Sequence, residues 1–234
     1  MPRTSRLPPS TQRAAPNGRA RLQATLGTLA LALGAFLAGC AGNAGTVTDI
    51  RYDLGLLSAQ RAQAAQGVPA APAAPAASGA KPPLKVLGVI APPPLDNDGI
   101  LYRMNFDSQR MARYANSRWT MSPARLLTER LRTSLGAQAT VLSGSDAVQA
   151  PLLKVELYEF EQVFESPTES SGVLSARATL LQGGKVLAQR SFVTRAPAST
   201  PDAAGGVRAL QTASDDFANQ LGAWLSAQSF AGTP

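Results

Sequence analysis

The sequence predicts an α+β domain: a single mixed or antiparallel sheet of about five strands, packed by two main helices as a helix-on-sheet sandwich. Three observations predict it. Two segments carry apolar residues at helical spacing, one long run alternates apolar with polar residues, and two strand-like runs flank the dipeptide Gly183-Gly184.

Leu84 to Ile90 is almost wholly apolar and is stopped by Pro92-Pro93-Pro94, the pattern of a buried strand. Gly99 to Phe106 predicts a second strand. Ser122 to Gln138 predicts a helix, with Ser122 as N-cap and Pro123 in the first turn, and Leu127, Leu131 and Leu135 on one face. Leu152 to Phe164 predicts a strand with Leu153, Val155 and Leu157 on one side. Val173 to Leu181 and Lys185 to Thr194 predict a hairpin, because Gly183-Gly184 tolerates the positive φ of a tight turn. The last helix is expected from about Asp202 to Ala227, where Val207, Leu210, Phe217, Leu221, Trp224 and Leu225 form one stripe. No internal repeat is visible.

Upstream of this domain the composition changes. Residues 1–39 hold Arg3, Arg6, Arg13, Arg19 and Arg21 without any acid, then an uncharged apolar run from Leu22 to Gly39, which is the plan of a signal peptide. Leu37-Ala38-Gly39-Cys40 resembles the bacterial lipobox, and that resemblance implies diacylglycerol and fatty-acyl attachment, such as palmitate, at Cys40. Ala41 follows, and the absence of Asp there implies, by the same resemblance, sorting to the outer membrane with the protein facing the periplasm. Several acyl chains on one residue exceed the two-signal threshold for stable anchoring. Residues 40–83 are expected to be the lipidated Cys and a Pro/Ala-rich tether, with Val68 to Ala77 too poor in large apolar residues to fold. Ile50 to Gly55 is strand-like and stands open as either tether or an added edge strand. Residues 84–228 form the expected domain.

Removing the five leader arginines from the 22 basic residues leaves 17 against 15 acids, so the formal +7 falls to +2. Nucleic-acid binding thereby loses its electrostatic support. The sequence has no His and one Cys, which excludes an intramolecular disulfide, imidazole base chemistry, Ser-His or Cys-His nucleophile pairs and the usual zinc sites. Asp96 and Asp98 lack the twelve-residue calcium-loop pattern and read as an Asx-turn, so no metal or cofactor is expected. Asp215-Asp216 and Glu156, Glu159 and Glu161 fall in no catalytic motif, and no enzyme activity is expected. Arg103, Arg110, Arg113, Arg118, Arg125, Arg130 and Arg132 face only Asp107 and Glu129 over the same stretch, which suits a solvated helix face, anionic lipid headgroups or an acidic protein. Trp119 reads as a core residue or as an interface anchor.

Lipobox Cys40, Tyr52-Asp53-Leu54-Gly55, Leu95-Asp96, Ile100, Tyr102-Arg103, and Trp119 before Pro123-Ala124-Arg125-Leu126-Leu127 together resemble the ABC-type transport auxiliary lipoproteins, which include the paraquat-inducible protein C-like lipoproteins. The resemblance implies a periplasm-facing lipoprotein beside an inner-membrane ABC transporter and its mammalian-cell-entry (MCE) domain subunit, moving lipid between membranes. It implies no ATPase, and the chain has no phosphate-binding loop of that type. Tyr102, Arg103, Arg118 and Trp119 are the expected partner contacts, and homo-oligomerisation stays open. Three functions compete: a docking component at the outer membrane, a lipid carrier with a cavity lined by Leu210, Phe217 and Leu221, and an envelope-assembly lipoprotein unconnected with transport.

Overall fold

The computed structural model describes residues 49–65, 81–104 and 109–228. In chain order these form β1 (Ile50–Tyr52), α1 (Ser58–Ala65), β2 (Pro83–Val86), a 3-10 turn (Pro93–Leu95), β3 (Gly99–Met104), β4 (Met111–Trp119), α2 (Pro123–Leu135), β5 (Thr140–Leu142), β6 (Leu152–Phe164), β7 (Ser170–Gln182), β8 (Lys185–Pro197) and α3 (Ala203–Ser226). The α+β class is as expected, but the described sheet has eight strands rather than about five. β4 and β5 were not anticipated on their pattern, whereas β1 is the strand-like Ile50 to Gly55 segment in its edge-strand alternative. β1 and β5 are three residues each, and β4 leaves most of its nine residues exposed, so it shows no apolar alternation.

β6 organises the sheet. Along one edge its N-terminal end pairs in parallel with β2 and its C-terminal end pairs in parallel with β3, while β7 runs antiparallel along the other edge. β4 and then β1 extend the β3 side, β5 extends the β2 side, and β8 lies beyond β7. β2 is shorter than the apolar run from Leu84 to Ile90 because strand pairing lapses after Val86, apart from a bridge between Ile90 and Glu156. The hairpin turn is as expected, with Gly183 at φ 55° and Gly184 at φ 77°, a conformation that favours glycine at both positions.

The two long helices cover one face. Leu127, Leu131 and Leu135 of α2 are fully buried, as are Leu210, Phe217 and Leu221 of α3. Phe192 of β8 meets Phe217 and Trp224 edge-on, at ring separations of 5.4 and 6.0 Å. Asp202 caps α3 by accepting a hydrogen bond from Gly205 N at 2.7 Å. That bond, reinforced by the Thr200 hydroxyl, holds the Asp202 carboxyl below the usual carboxylate range. Ser122 occupies the expected N-cap of α2, but its hydroxyl makes no capping bond and is buried without a partner among the described residues.

α3 approaches the sheet closely at Gly172 of β7. A Cβ there would stand 2.5 Å from the Leu210 backbone nitrogen, and backbone cannot swing aside as a flexible side chain can. Gly172→Ala is expected to cost about 1–3 kcal/mol, measured as a lower urea midpoint at unchanged slope.

The segment expected to be tether through residue 83 is divided. Residues 49–65 pack on the domain: β1 adds to β4 in parallel, with Ile50, Arg51 and Tyr52 opposite Ser117, Arg118 and Trp119. Leu54 is buried in the core at 3% exposure. The domain therefore begins near Asp49 and not at 84. The Pro/Ala stretch follows β1 and α1 as a connection inside the domain, and residues 66–80 of it lie outside the described residues. So do residues 1–39, expected to be a signal peptide, and Cys40.

Candidate interaction surface

Strands β3 and β4 carry all four residues expected to meet a partner, but alternation splits them between two faces. Tyr102 pairs with Gln162, whose side chain lies against Gly206 of α3, so Tyr102 is on the helix side. Arg103 and Arg118 point the other way. Trp119 returns to the helix side and is fully buried, its ring 5.6 Å from that of Phe160. This corrects its expected role: Trp119 is not accessible to a partner. Its indole N–H is buried and finds no acceptor among the described residues.

On the face away from the helices, β1 and β4 build a charged network. Arg118 Nε donates to Asp49 at 2.7 Å and its guanidinium lies 3.6 Å from Asp98, while Arg51 donates to Asp98 at 2.7 Å. The hydrogen bond with Asp49, then the charges of Asp49 and Asp98, raise the Arg118 pKa. The Asp96 to Gly99 segment is an Asx-turn as expected, though its acceptor is Asn97, which takes the Gly99 N–H at 3.0 Å. Asp98 is occupied by arginines, and no cluster of metal-ligating side chains occurs among the described residues. Arg103 Nε donates to the buried Glu161 at 2.8 Å, so this pair is partly shielded.

Tyr102 stacks obliquely on Tyr114, with centroids 4.8 Å apart, and meets Phe164 edge-on. The Tyr114 hydroxyl donates to Gln162 at 2.8 Å. Burial, then Tyr102 and Asp202, push the Tyr114 pKa up to about 12. The folded state thus holds this proton more tightly than the unfolded chain. The associated stability is complete below the ordinary tyrosine pKa near 10 and is lost as pH rises from there to about 12. Ultraviolet titration is expected to show one late tyrosinate, absent in Tyr114→Phe.

The basic cluster does not form one helix face. Arg113 and Arg118 belong to β4, whereas Arg125, Arg130 and Arg132 belong to α2. Arg130 is buried, and its guanidinium donates twice to Asp215 of α3, at 2.9 and 2.6 Å. It also donates to the carbonyls of Leu54, Gly55 and Leu56. Asp215 takes a further bond from Arg61 of α1 at 2.9 Å. This clamp was missed because Arg130 was grouped with exposed arginines. Its signal is positional, since it lies three residues from Leu127 and four from Leu126 on the buried stripe.

The clamp explains Tyr52-Asp53-Leu54-Gly55. Asp53 accepts the Gly55 N–H at 2.7 Å, Gly55 adopts φ 59°, and Leu54 is driven into the core. The turn then presents its carbonyls to Arg130. An apolar cavity of about 370 Å³ lies elsewhere, at the far ends of α2 and α3, lined chiefly by Pro82, Leu84, Leu135, Ala139 and Leu225. Leu210, Phe217 and Leu221, expected around a carrier cavity, are instead part of the filled core.

No curated protein matches the sequence. Among the solved structures that match, two illustrate the fold. Protein XCC0632 from Xanthomonas campestris, of family DUF330, is 18% identical with a TM-score of 0.56, over 64% of this chain and 87% of that one. A second, described only as an uncharacterized protein, is 16% identical with a TM-score of 0.58, over 76% and 99% of the two chains. Residues 66–222 match the family of the ABC-type transport auxiliary lipoprotein component. That match spans well over half of the sequence, and the chain belongs to this family of ABC-type transport auxiliary lipoproteins.

Proposed function

We propose that this auxiliary lipoprotein docks an MCE/ABC-type lipid-transport assembly at the outer membrane from the periplasmic side, acting through protein contacts and without catalysis. The observation that carries docking over carriage is the filled core: the residues that would line a lipid channel between sheet and α3 are fully buried against one another. Its acids also serve structure. Asp215 neutralises Arg130 and Arg61, Glu161 holds Arg103, and Glu156 joins Lys154 and Arg177. Hydrogen bonds from Lys154, then Arg177, lower the Glu156 pKa. Among the expected partner residues Arg118 offers the most accessible charge, next to Arg51.

The test is affinity capture of the detergent-solubilised, lipidated protein from its own cells, with bound proteins identified by mass spectrometry. Recovery of an MCE subunit with its transporter, reduced several-fold in Arg118→Glu at unchanged melting temperature, is the expected result. Well-expressed protein that brings down no transporter subunit overturns the reading. One observation favours a second reading, a carrier: the 370 Å³ apolar cavity falls within the roughly 300–1,000 Å³ of small-molecule sites. Lipid extracted in stoichiometric amount from purified protein would support it.

A further inference from the structure

The placement of β1 sets the distance between the domain and its anchor. Asp49 stands nine residues beyond Cys40, and nine peptide steps span at most about 30 Å. A domain of this length has a radius of gyration of about 15 Å and is about 40 Å across. Had the Pro/Ala stretch preceded the domain, the leash would exceed that breadth several-fold. It does not precede it, because β1 is already paired with β4. A domain held on a leash shorter than its own breadth keeps one side against the bilayer.

The topology selects the side. β1 runs parallel to β4, so β1 enters the sheet from the side of the N-terminal end of β4, where Met111 starts the strand. β1 covers only Ser117 to Trp119, and no strand lies beyond Met111 to Asn116 among the described residues. This uncovered stretch exposes Met111 at 43%, and its neighbours Arg110 and Arg113 are exposed as well. Farther along, Arg51 and Arg118 are neutralised by Asp49 and Asp98, whereas Arg113 makes no ion pair among the described residues and lies over Gly99. Arginines flanking an exposed methionine suit an anionic headgroup layer, where the cations meet phosphates and the thioether reaches the acyl boundary.

We propose that Arg110, Met111 and Arg113, at the start of β4, form a membrane-apposed surface that rests on anionic lipid headgroups. The proposal rests on lipid attachment at Cys40. It places partner contacts around Arg118, about 17 Å farther along the strand from Arg113 at roughly 3.4 Å per residue.

The full-length lipidated protein is reconstituted into phosphatidylcholine vesicles with or without phosphatidylglycerol, and a fluorophore is placed at Ala112→Cys or at Gln182→Cys beside the β7–β8 turn. With Cys40 acylated, the introduced thiol is the only free one. A nitroxide-headgroup lipid is expected to quench the label at residue 112 several-fold more than that at 182. Arg110→Glu/Arg113→Glu is expected to reduce quenching at 112 in the anionic vesicles to the level in neutral ones. Protein that floats with the vesicles but is quenched equally at both positions, or whose quenching ignores the two charge reversals, overturns this proposal alone. Protein that does not float overturns the anchoring as well.

Discussion

Replacing Asp215 with alanine is expected to destabilise the domain by about 3–5 kcal/mol, because it leaves the Arg130 guanidinium buried without its counter-charge. Both side chains are almost wholly out of water, at 3% and 6% exposure, so solvent offers the abandoned cation little relief. The effect should extend beyond the pair. Arg130 also fixes the carbonyls of residues 54 to 56, and Asp215 fixes Arg61 of α1, so a variant that still folds should lose amide-exchange protection from β1 through α1 before the rest of the sheet. Buried ion pairs are often replaceable by an apolar pair at little cost. Here the double variant Arg130→Met/Asp215→Leu is expected to recover only part of the loss, since methionine cannot bond the three carbonyls. Equilibrium urea unfolding measures both; a cost for Asp215→Ala below about 1 kcal/mol would refute the clamp.

The second large effect is at Trp119. Trp119→Ala removes a fully buried ring packed on Phe160 and is expected to cost about 3–5 kcal/mol, the range for emptying a large aromatic site. Arg118→Ala, one residue away, breaks only half-exposed ion pairs and should leave the urea midpoint nearly unchanged. The contrast bears on any binding experiment. Loss of a partner in Trp119→Ala reports on folding, whereas loss in Arg118→Glu with an intact melting curve reports on a surface.

Periodicity made some elements legible and left others hidden. β6 and α3 were read almost to the residue because β6 begins with alternating buried and wetter residues and α3 keeps one buried stripe over many turns. β4 was hidden because it sits near the sheet margin and buries little, so nothing in Met111 to Trp119 alternates. The site was harder to read for a related reason. Tyr102 with Arg103, and Arg118 with Trp119, are adjacent in sequence and so oppose each other on a strand, a distinction available only once those segments are known to be strands. Arg130 was visible as a cation, but its fivefold hydrogen bonding joins residues 54, 55, 56 and 215, separations that no local pattern encodes.

The parallel pairing of β1 with β4 also sets how the protein responds to force. A pull on the chain upstream of Asp49, directed along β1, loads the cross-strand bonds in shear, all at once, because those bonds lie across the line of tension. Peeling β1 outward would break them one at a time and at lower force. Tyr52 strengthens the shear arrangement by accepting the Thr120 N–H at 2.7 Å, and behind it stand Leu54 in its pocket and the Arg130 bonds. The domain would therefore resist extraction along the strand axis better than prying from the side.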